Sequence, residues 1–387
     1  MSDRIFKLEG KVMHYAWGGY DFIPQTLGIQ NTERKPFAEY WLGVHPSAMS
    51  VIKNGDEKPL SDIADSLPFL LKILDVREVL SIQVHPNKEQ AKFGFEAEEK
   101  AGIPIDATNR NYKDRNHKPE MAVALSDFWL LHGFRQENEI TEVLQQHSSF
   151  NGLLKIFKEN GLEALYRQVM TMSKERVDEI LKPVIEQQIK DHLSGYTSKS
   201  DPAFWISRYY NNEWPEGNID RGIFSMFFLN IVNLKPGESI FQGAGILHAY
   251  LEGYNVELMA NSDNVLRGGL TPKHIDVEEL LKQTSFRTVK PNVLKGEKRG
   301  VETVYEAPVD DFSINKIDLK TAETFSSQTH SFEIHILLTG AAEITADGKT
   351  INLKRGEACG ILAGTTFNIF SNDETQIYRA YVPVRKA

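Results

Sequence analysis

NLKPGESIFQGAGILH, residues 233–248, lies without gaps over NLKRGEACGILAGTTF, residues 352–367. The two segments share Asn, Leu, Lys, Gly and Glu within their first six positions and a Gly at the thirteenth. Each reads as a strand, a tight turn and a second strand, so the chain carries two related β units. They part at the last position, where His248 in the first copy is matched by Phe367 in the second. One unit keeps an imidazole where the other has an apolar ring, which makes the earlier unit the better candidate for a site.

Outward from these copies, the pattern changes period twice. Up to about residue 132, short apolar or alternating runs such as MSVIKNG, LPFLLKIL and MAVAL are separated by Gly, Pro and Asn and read as mainly β. Between about 136 and 195, Ile140, Val143, Leu144, Leu162, Leu165, Tyr166, Val169, Val177, Ile180, Leu181, Val184, Ile185 and Ile189 recur at helical spacing. From about 222 the β pattern returns in GIFSMFFLNIVNL, and it dominates from 311, where ITADGKTINL carries an Asp-Gly hairpin turn at 347 and 348. The expected fold is therefore mainly β with an inserted α-helical domain. Its expected parts are a discontinuous catalytic domain of residues 1–132 and 223–290, a helical insertion of 133–222, and a C-terminal β unit of 291–387.

A chain of 387 residues exceeds one ordinary core and contains ample apolar content for several. Forty-four basic against fifty-three acidic residues leave a net charge of −9, which argues against nucleic acid as a partner. The single cysteine, Cys359, excludes an intrachain disulfide and a thiolate metal cage, fits a reducing cytoplasm, and is expected to pack in the C-terminal unit. MSDRIFKLEG lacks the pattern of a signal peptide and no segment reaches membrane-spanning length, so neither secretion nor a membrane partner is expected.

In SIQVHP, residues 81–86, strand geometry puts Gln83 and His85 on one side and Ile82 and Val84 on the other. Such a pair is either a satisfied buried polar pair or half of a metal site. The spacing of Gly237, Gly243, Gly245 and His248 resembles the second motif of cupin barrels, with Gly243 in place of the usual Pro and Glu252 where Asn is common. In such barrels that His faces an H-x-H strand, a place that Q-V-H would take here. Two carboxylates compete to complete the set: Glu89, at the common cupin spacing but in the polar stretch NKEQAK that reads as a turn or helix start, and Glu120 in HKPEMAVAL, which borders an apolar strand and is favoured. Imidazole and carboxylate without thiolate suit zinc, manganese, cobalt or iron. Asp263, Arg267 and Lys273, in an irregular Gly- and Asn-rich stretch, could clamp a phosphate or an oxyanion, or form ordinary surface pairs. Lys118 would point the same way as Glu120 if extended, and Lys72 lies inside an apolar run, where a snorkelling surface lysine is the plain reading. Trp17 reads as a core aromatic or a sugar-facing wall. His14, His45, His117, His132, His274 and His335 have no partner at ligand spacing and read as hydrogen-bonded or surface residues.

HYAWGG, LPFLLKIL, SIQVHPNKEQA, AGIPIDATNRNYKDRNHKPE, GILHAYLEG and SDNVLRGGLTPK, in that order, resemble the type I mannose-6-phosphate isomerases, a family of zinc enzymes with cupin barrels. The resemblance implies two cupin-like jelly-roll β units plus the helical insertion, and interconversion of mannose 6-phosphate and fructose 6-phosphate through an enediol. It implies one Zn²⁺ per chain on Gln83, His85, Glu120 and His248, which selects Glu120 over Glu89. It also implies Arg267 as a catalytic residue and Trp17, Lys72, Lys118, Asp263 and Lys273 in the pocket. Lys118, Asp263 or a water on the ion could carry the proton, and residues alone do not rank them. The expected partner is a small sugar phosphate, and the expected state a cytoplasmic monomer. An iron oxygenase and a noncatalytic sugar-binding barrel are the competing readings; Gln83 and the cluster of Lys and Arg speak against the first.

Overall fold

A computed structural model describes residues 3–215 and 217–384; residues 1–2, 216 and 385–387, which the expected domain spans include, lie outside the described residues. The first β assembly sets the strands Leu229–Leu234, Phe128–Phe134, His248–Ala260, Phe69–Val76, Glu39–Leu42 and Lys11–Met13 side by side. Glu120–Ala124, Ser239–Gln242, Ile82–Val84 and Leu266–Gly269 join the same sheet. Its longest member, His248–Ala260, changes partners midway. The first half pairs with Phe128–Phe134 and meets Gln83, and the second half pairs with Phe69–Val76 and Glu120–Ala124. The change falls at Gly253, where φ is 117° and a Cβ would sit 2.5 Å from the Asp127 carbonyl oxygen, so only glycine fits. One strand thereby delivers His248 to one part of the barrel and Glu257 to another.

The second assembly is two sheets with a shared core of Ile317, Leu337, Ile344, Ile361, Phe367 and Ile369. Thr324–Gln328, Thr366–Ser371, Ala341–Ala346 and Lys349–Lys354 form the smaller sheet. Asp347 and Gly348, with φ of 48° and 77°, make the hairpin turn that the Asp-Gly pair predicts. The larger sheet contains Glu302–Tyr305, Ser313–Leu319, Thr375–Tyr381, Glu333–Thr339 and Ala358–Ile361. It is extended by Ile5–Glu9 and Val51–Asn54 from the other end of the chain, so the N-terminus is hydrogen-bonded into the C-terminal unit. Cys359 is fully buried there.

Between the two β regions in sequence lie the helices Glu137–Gln146, Asn151–Thr171, Lys174–Leu193 and Pro202–Tyr209. Ser173 caps the third by accepting from the Arg176 N–H, and its stripe of Val177, Ile180, Leu181, Val184, Ile185 and Ile189 is buried as the spacing requires. That stripe shares one core with Ile82, Val84, Leu247 and Leu266. The helices therefore brace the back of the strand that carries Gln83; burying Ile82 and Val84 contributes about 2 kcal/mol each.

GIFSMFFLNIVNL departs from the expected strand. Ile223–Phe228 is helical, and only Leu229–Leu234 is extended. Every residue of that helix is buried, so the sequence shows an unbroken apolar run that fits a buried strand or a buried helix equally. The mainly β region up to residue 132 also holds the helix Lys88–Lys100, started by a capping box between Asn87 and Gln90, with Glu89 in its first turn.

Candidate metal centre

Three side chains from three strands meet in the first barrel. His85 follows Ile82–Val84, His248 opens its own strand directly opposite Gln83, and Glu120 opens Glu120–Ala124 between Ser239–Gln242 and the far half of His248–Ala260. One donor atom from each of His85, Glu120 and His248 lies within 4.8 Å of the others, and all three residues are buried. The His85 Nδ1 lies 2.8 Å from the Asn264 carbonyl oxygen, and the His248 Nδ1 2.9 Å from that of Ile246. A carbonyl oxygen only accepts, so each ring carries its proton on Nδ1 and presents a lone pair at Nε2.

Those lone pairs converge on a carboxylate. The His85 Nε2 is 3.3 Å from Glu120 Oε1, and the His248 Nε2 is 3.4 Å from Glu120 Oε2. The first contact is close but not aligned as a hydrogen bond, and His85 Nε2 is buried without a partner among the described residues. Acceptors facing acceptors in a buried site are stable only around a cation. Two neutral imidazoles and a carboxylate fit zinc, and the Gln83 amide, whose nitrogen donates to Ser81 Oγ at 3.4 Å, offers its oxygen as a fourth donor. Burial holds the His85 imidazole down at about 4 and, with the field of His248, the neighbouring His132 at about 3, so both are neutral near pH 7. Burial alone would raise the Glu120 carboxyl, but the Lys118 ammonium and the imidazoles outweigh it and keep the group well below the usual carboxylate range.

The Asn264 that orients His85 is itself fixed. Its side chain accepts from the Lys113 N–H at 2.7 Å and donates to the Asp114 and Asn116 carbonyls at 2.9 and 2.8 Å. Ser262 Oγ and the Asp263 N–H complete this latch by donating to Asp114 at 2.9 and 2.8 Å. The SDN tripeptide thus ties the irregular segment before Glu120 to the His85 ring.

A cavity of about 80 Å³ opens on the centre, walled by Gln83, Glu120, His248, Lys72, Lys118 and Glu257. Lys118 Nζ is 3.1 Å from Glu120 Oε1. Lys72 is buried rather than snorkelling: its Nζ lies 3.1 Å from Glu257, 3.5 Å from Glu39 and 4.7 Å above the Trp41 ring. Burial pushes the Lys72 ammonium down, yet the carboxylates around it win and raise it above its ordinary value. Tyr250 donates to Glu257 at 2.7 Å and accepts from Gln242 at 2.9 Å. Two ammonium groups against Glu39, Glu120 and Glu257 leave this wall one positive charge short, and a dication would reverse the sign in favour of an anionic ligand.

The other predicted residues stand outside the cavity wall. Arg267 is half-buried on Leu266–Gly269, directly opposite Gln83, and forms no ion pair among the described residues. Lys273 is exposed on the loop beyond, and burial and then the Arg267 charge lower its ammonium. Asp263 is held at the rim by His45, 3.0 Å away. Trp17 packs with Leu80 and Leu74 and stacks on Tyr15 at 5.9 Å. A larger cleft of about 700 Å³ beside Phe241, Leu294 and Tyr381 gathers no comparable donor set among the described residues. Glu39, Glu257 and Tyr250 are the polar members of the wall that sequence reasoning passed over. The signal for them was Lys72 itself, since a lysine in a buried run requires buried carboxylates nearby.

Known proteins resemble the chain over nearly its whole length. The family description "phosphomannose isomerase type I, catalytic domain" matches residues 5–137, and "mannose-6-phosphate isomerase, cupin domain" matches 301–373. The mannose-6-phosphate isomerase of Escherichia coli (strain K12) is 38% identical over 384 residues, covering 92% of this chain and 94% of that protein. That of Schizosaccharomyces pombe is 30% identical over 98% of each. The crystal structure of the Salmonella typhimurium enzyme bound to its substrate F6P and zinc superposes with a TM-score of 0.86 at 35% identity, covering 99% of this chain and 100% of the other. The chain therefore belongs to the type I phosphomannose isomerase family.

Proposed function

We propose that this chain interconverts mannose 6-phosphate and fructose 6-phosphate as an aldose-ketose isomerase, with one zinc ion held by Gln83, His85, Glu120 and His248. The observation that carries this reading is the pair of Nδ1-protonated imidazoles aimed at one buried carboxylate. When bound, zinc supplies a Lewis acid that draws electron density from the sugar oxygens at C1 and C2.

The reaction moves a proton between C2 and C1 through an enediol, so the chain must hold a proton and stabilise an oxyanion. We assign the proton to Lys118, buried on the cavity wall 3.1 Å from Glu120, over Asp263, which His45 engages at the rim. Arg267, strand neighbour of Gln83 and without a carboxylate partner among the described residues, serves as the charge that stabilises the enediolate; its guanidinium is too basic for easy proton transfer. Lys273 on the loop beyond anchors the C6 phosphate, so that remote binding energy positions the reacting carbons. Lys72, committed to Glu257 and Glu39, meets the sugar hydroxyls from the cavity floor, and Trp17 offers an apolar face at the edge.

In this reading, residues 1–132 with 223–290 form the catalytic unit, apart from the strands Ile5–Glu9 and Val51–Asn54 that extend the sheet of the second β unit, 291–387, and 133–222 are the helical brace, in a cytoplasmic monomer. The test is a metal analysis paired with a coupled assay for fructose 6-phosphate. Stripping with chelator should abolish turnover and one equivalent of zinc should restore it; full activity in metal-free protein would overturn the reading.

A further inference from the structure

The two barrels can be laid over each other residue by residue through their ladders. The alignment of 233–248 on 352–367 places Gln242 on Ile361. Glu120 stands opposite Gln242 and Glu333 opposite Ile361, so Glu333 occupies the position of Glu120. One ladder further, Glu257 stands opposite Ala122, and Arg379 stands opposite His335, two residues beyond Glu333. Arg379 therefore occupies the position of Glu257. The next ladder sets Lys72 against Asn315, and the one after sets Glu39 against Glu302. On the other side of the barrel, His248 faces Gln83 while Phe367 faces Ser327.

Two carboxylates are thus retained and every other donor is changed. Arg379 joins the two survivors: its Nε and Nη2 each lie 2.7 Å from an oxygen of Glu333, and its Nη1 lies 3.1 Å from Glu302. Asn315 donates to the same Glu302 oxygen at 2.8 Å, and His335 Nε2 reaches Glu333 at 2.9 Å. Phe367 and Tyr381 cover the guanidinium at 5.9 and 4.8 Å. His335 and Phe367 sit 5.3 Å apart, against 5.0 Å for His85 and His248. A bidentate guanidinium is a fixed cation that cannot dissociate.

We propose that the heart of the second barrel is a closed cation centre, in which Arg379 permanently supplies the positive charge that a divalent ion supplies in the first barrel, and that removing it together with placing an imidazole at Phe367 opens a second metal site. This rests on the metal reading of the first barrel. Arg379→Gln should lower the Tm of the zinc-loaded protein by about 5–10 °C while kcat, KM and one zinc per chain are unchanged. Arg379→Lys, which keeps a charge without the fork, should recover part of that loss. Phe367→His/Arg379→Gln adds an imidazole beside Glu333 and His335, so it should take up two Co²⁺ per chain, with a second set of tetrahedral d–d bands and a Co²⁺-dependent rise in Tm. Wild-type protein should take up one. The proposal is overturned if Arg379→Gln melts with the wild type, if the folded double variant holds a single ion, or if the wild type binds a second ion that Glu333→Gln removes. Should the double variant fail to fold, the melting of the two single variants decides alone. Failure of the first-barrel reading looks different: wild-type protein would take up no Co²⁺ at all.

Discussion

The first barrel gathers Gln83, His85, Glu120 and His248 around a point that holds no proton, whereas the second puts Ser327, Glu333, Phe367 and a guanidinium in the corresponding region. Both have a carboxylate at the same ladder position, and a lone buried carboxylate is costly in either. What differs is how each is neutralised. An exchangeable ion leaves lone pairs and open coordination for chemistry; a side-chain cation leaves a satisfied, inert core. The comparison teaches that one jelly-roll frame serves as active site or as scaffold according to where its cation comes from.

The most damaging test of this contrast gives the first barrel the residue of the second. His248→Phe should remove zinc and lower kcat/KM by about 10³-fold or more, read by metal analysis and the coupled assay, with the fold retained. Lys118→Gln should lower kcat by about 10²-fold with zinc retained, because it removes the assigned proton carrier and leaves the ligands. Lys72→Met should cost about 3 kcal/mol in urea denaturation, since it strands Glu39 and Glu257 in the core; adding Glu257→Gln should return much of that. A smaller effect separates the imidazoles by pH. His85 and His132 titrate at about 4 and about 3 in the folded chain, below their ordinary 6.5, so the unfolded chain takes up these protons first. Stability of the metal-free protein should be full above pH 6.5 and fall as pH drops from there toward about 3, and His132→Phe should flatten part of that slope.

Much of the site was legible because strands have a period of two. That period put Gln83 and His85 on one face with Ile82 and Val84 behind, and a shared turn sequence located His248. Spacing from Gln83 and His85 alone suits Glu89, but the apolar run after Glu120 and the polar stretch around Glu89 favour Glu120, and the structure agrees: Glu120 lies on a ladder with Gln242 and Met259, while Glu89 starts a helix. Glu39 and Glu257 were hidden for the same reason, being 33 and 185 residues from Lys72 in sequence and adjacent only through sheet register. The second barrel's Arg379 is a further case, since nothing local to YRAYV announces a partner on Glu333–Thr339. Ile223–Phe228 was misread because burial on every side erases the helical stripe.

The most direct test is an anomalous-difference map from crystals soaked in zinc, with data on both sides of the zinc edge. This account predicts one strong peak per chain, between His85, Glu120 and His248, and none beside Arg379. A peak in the second barrel, or an empty first one in active protein, would contradict it.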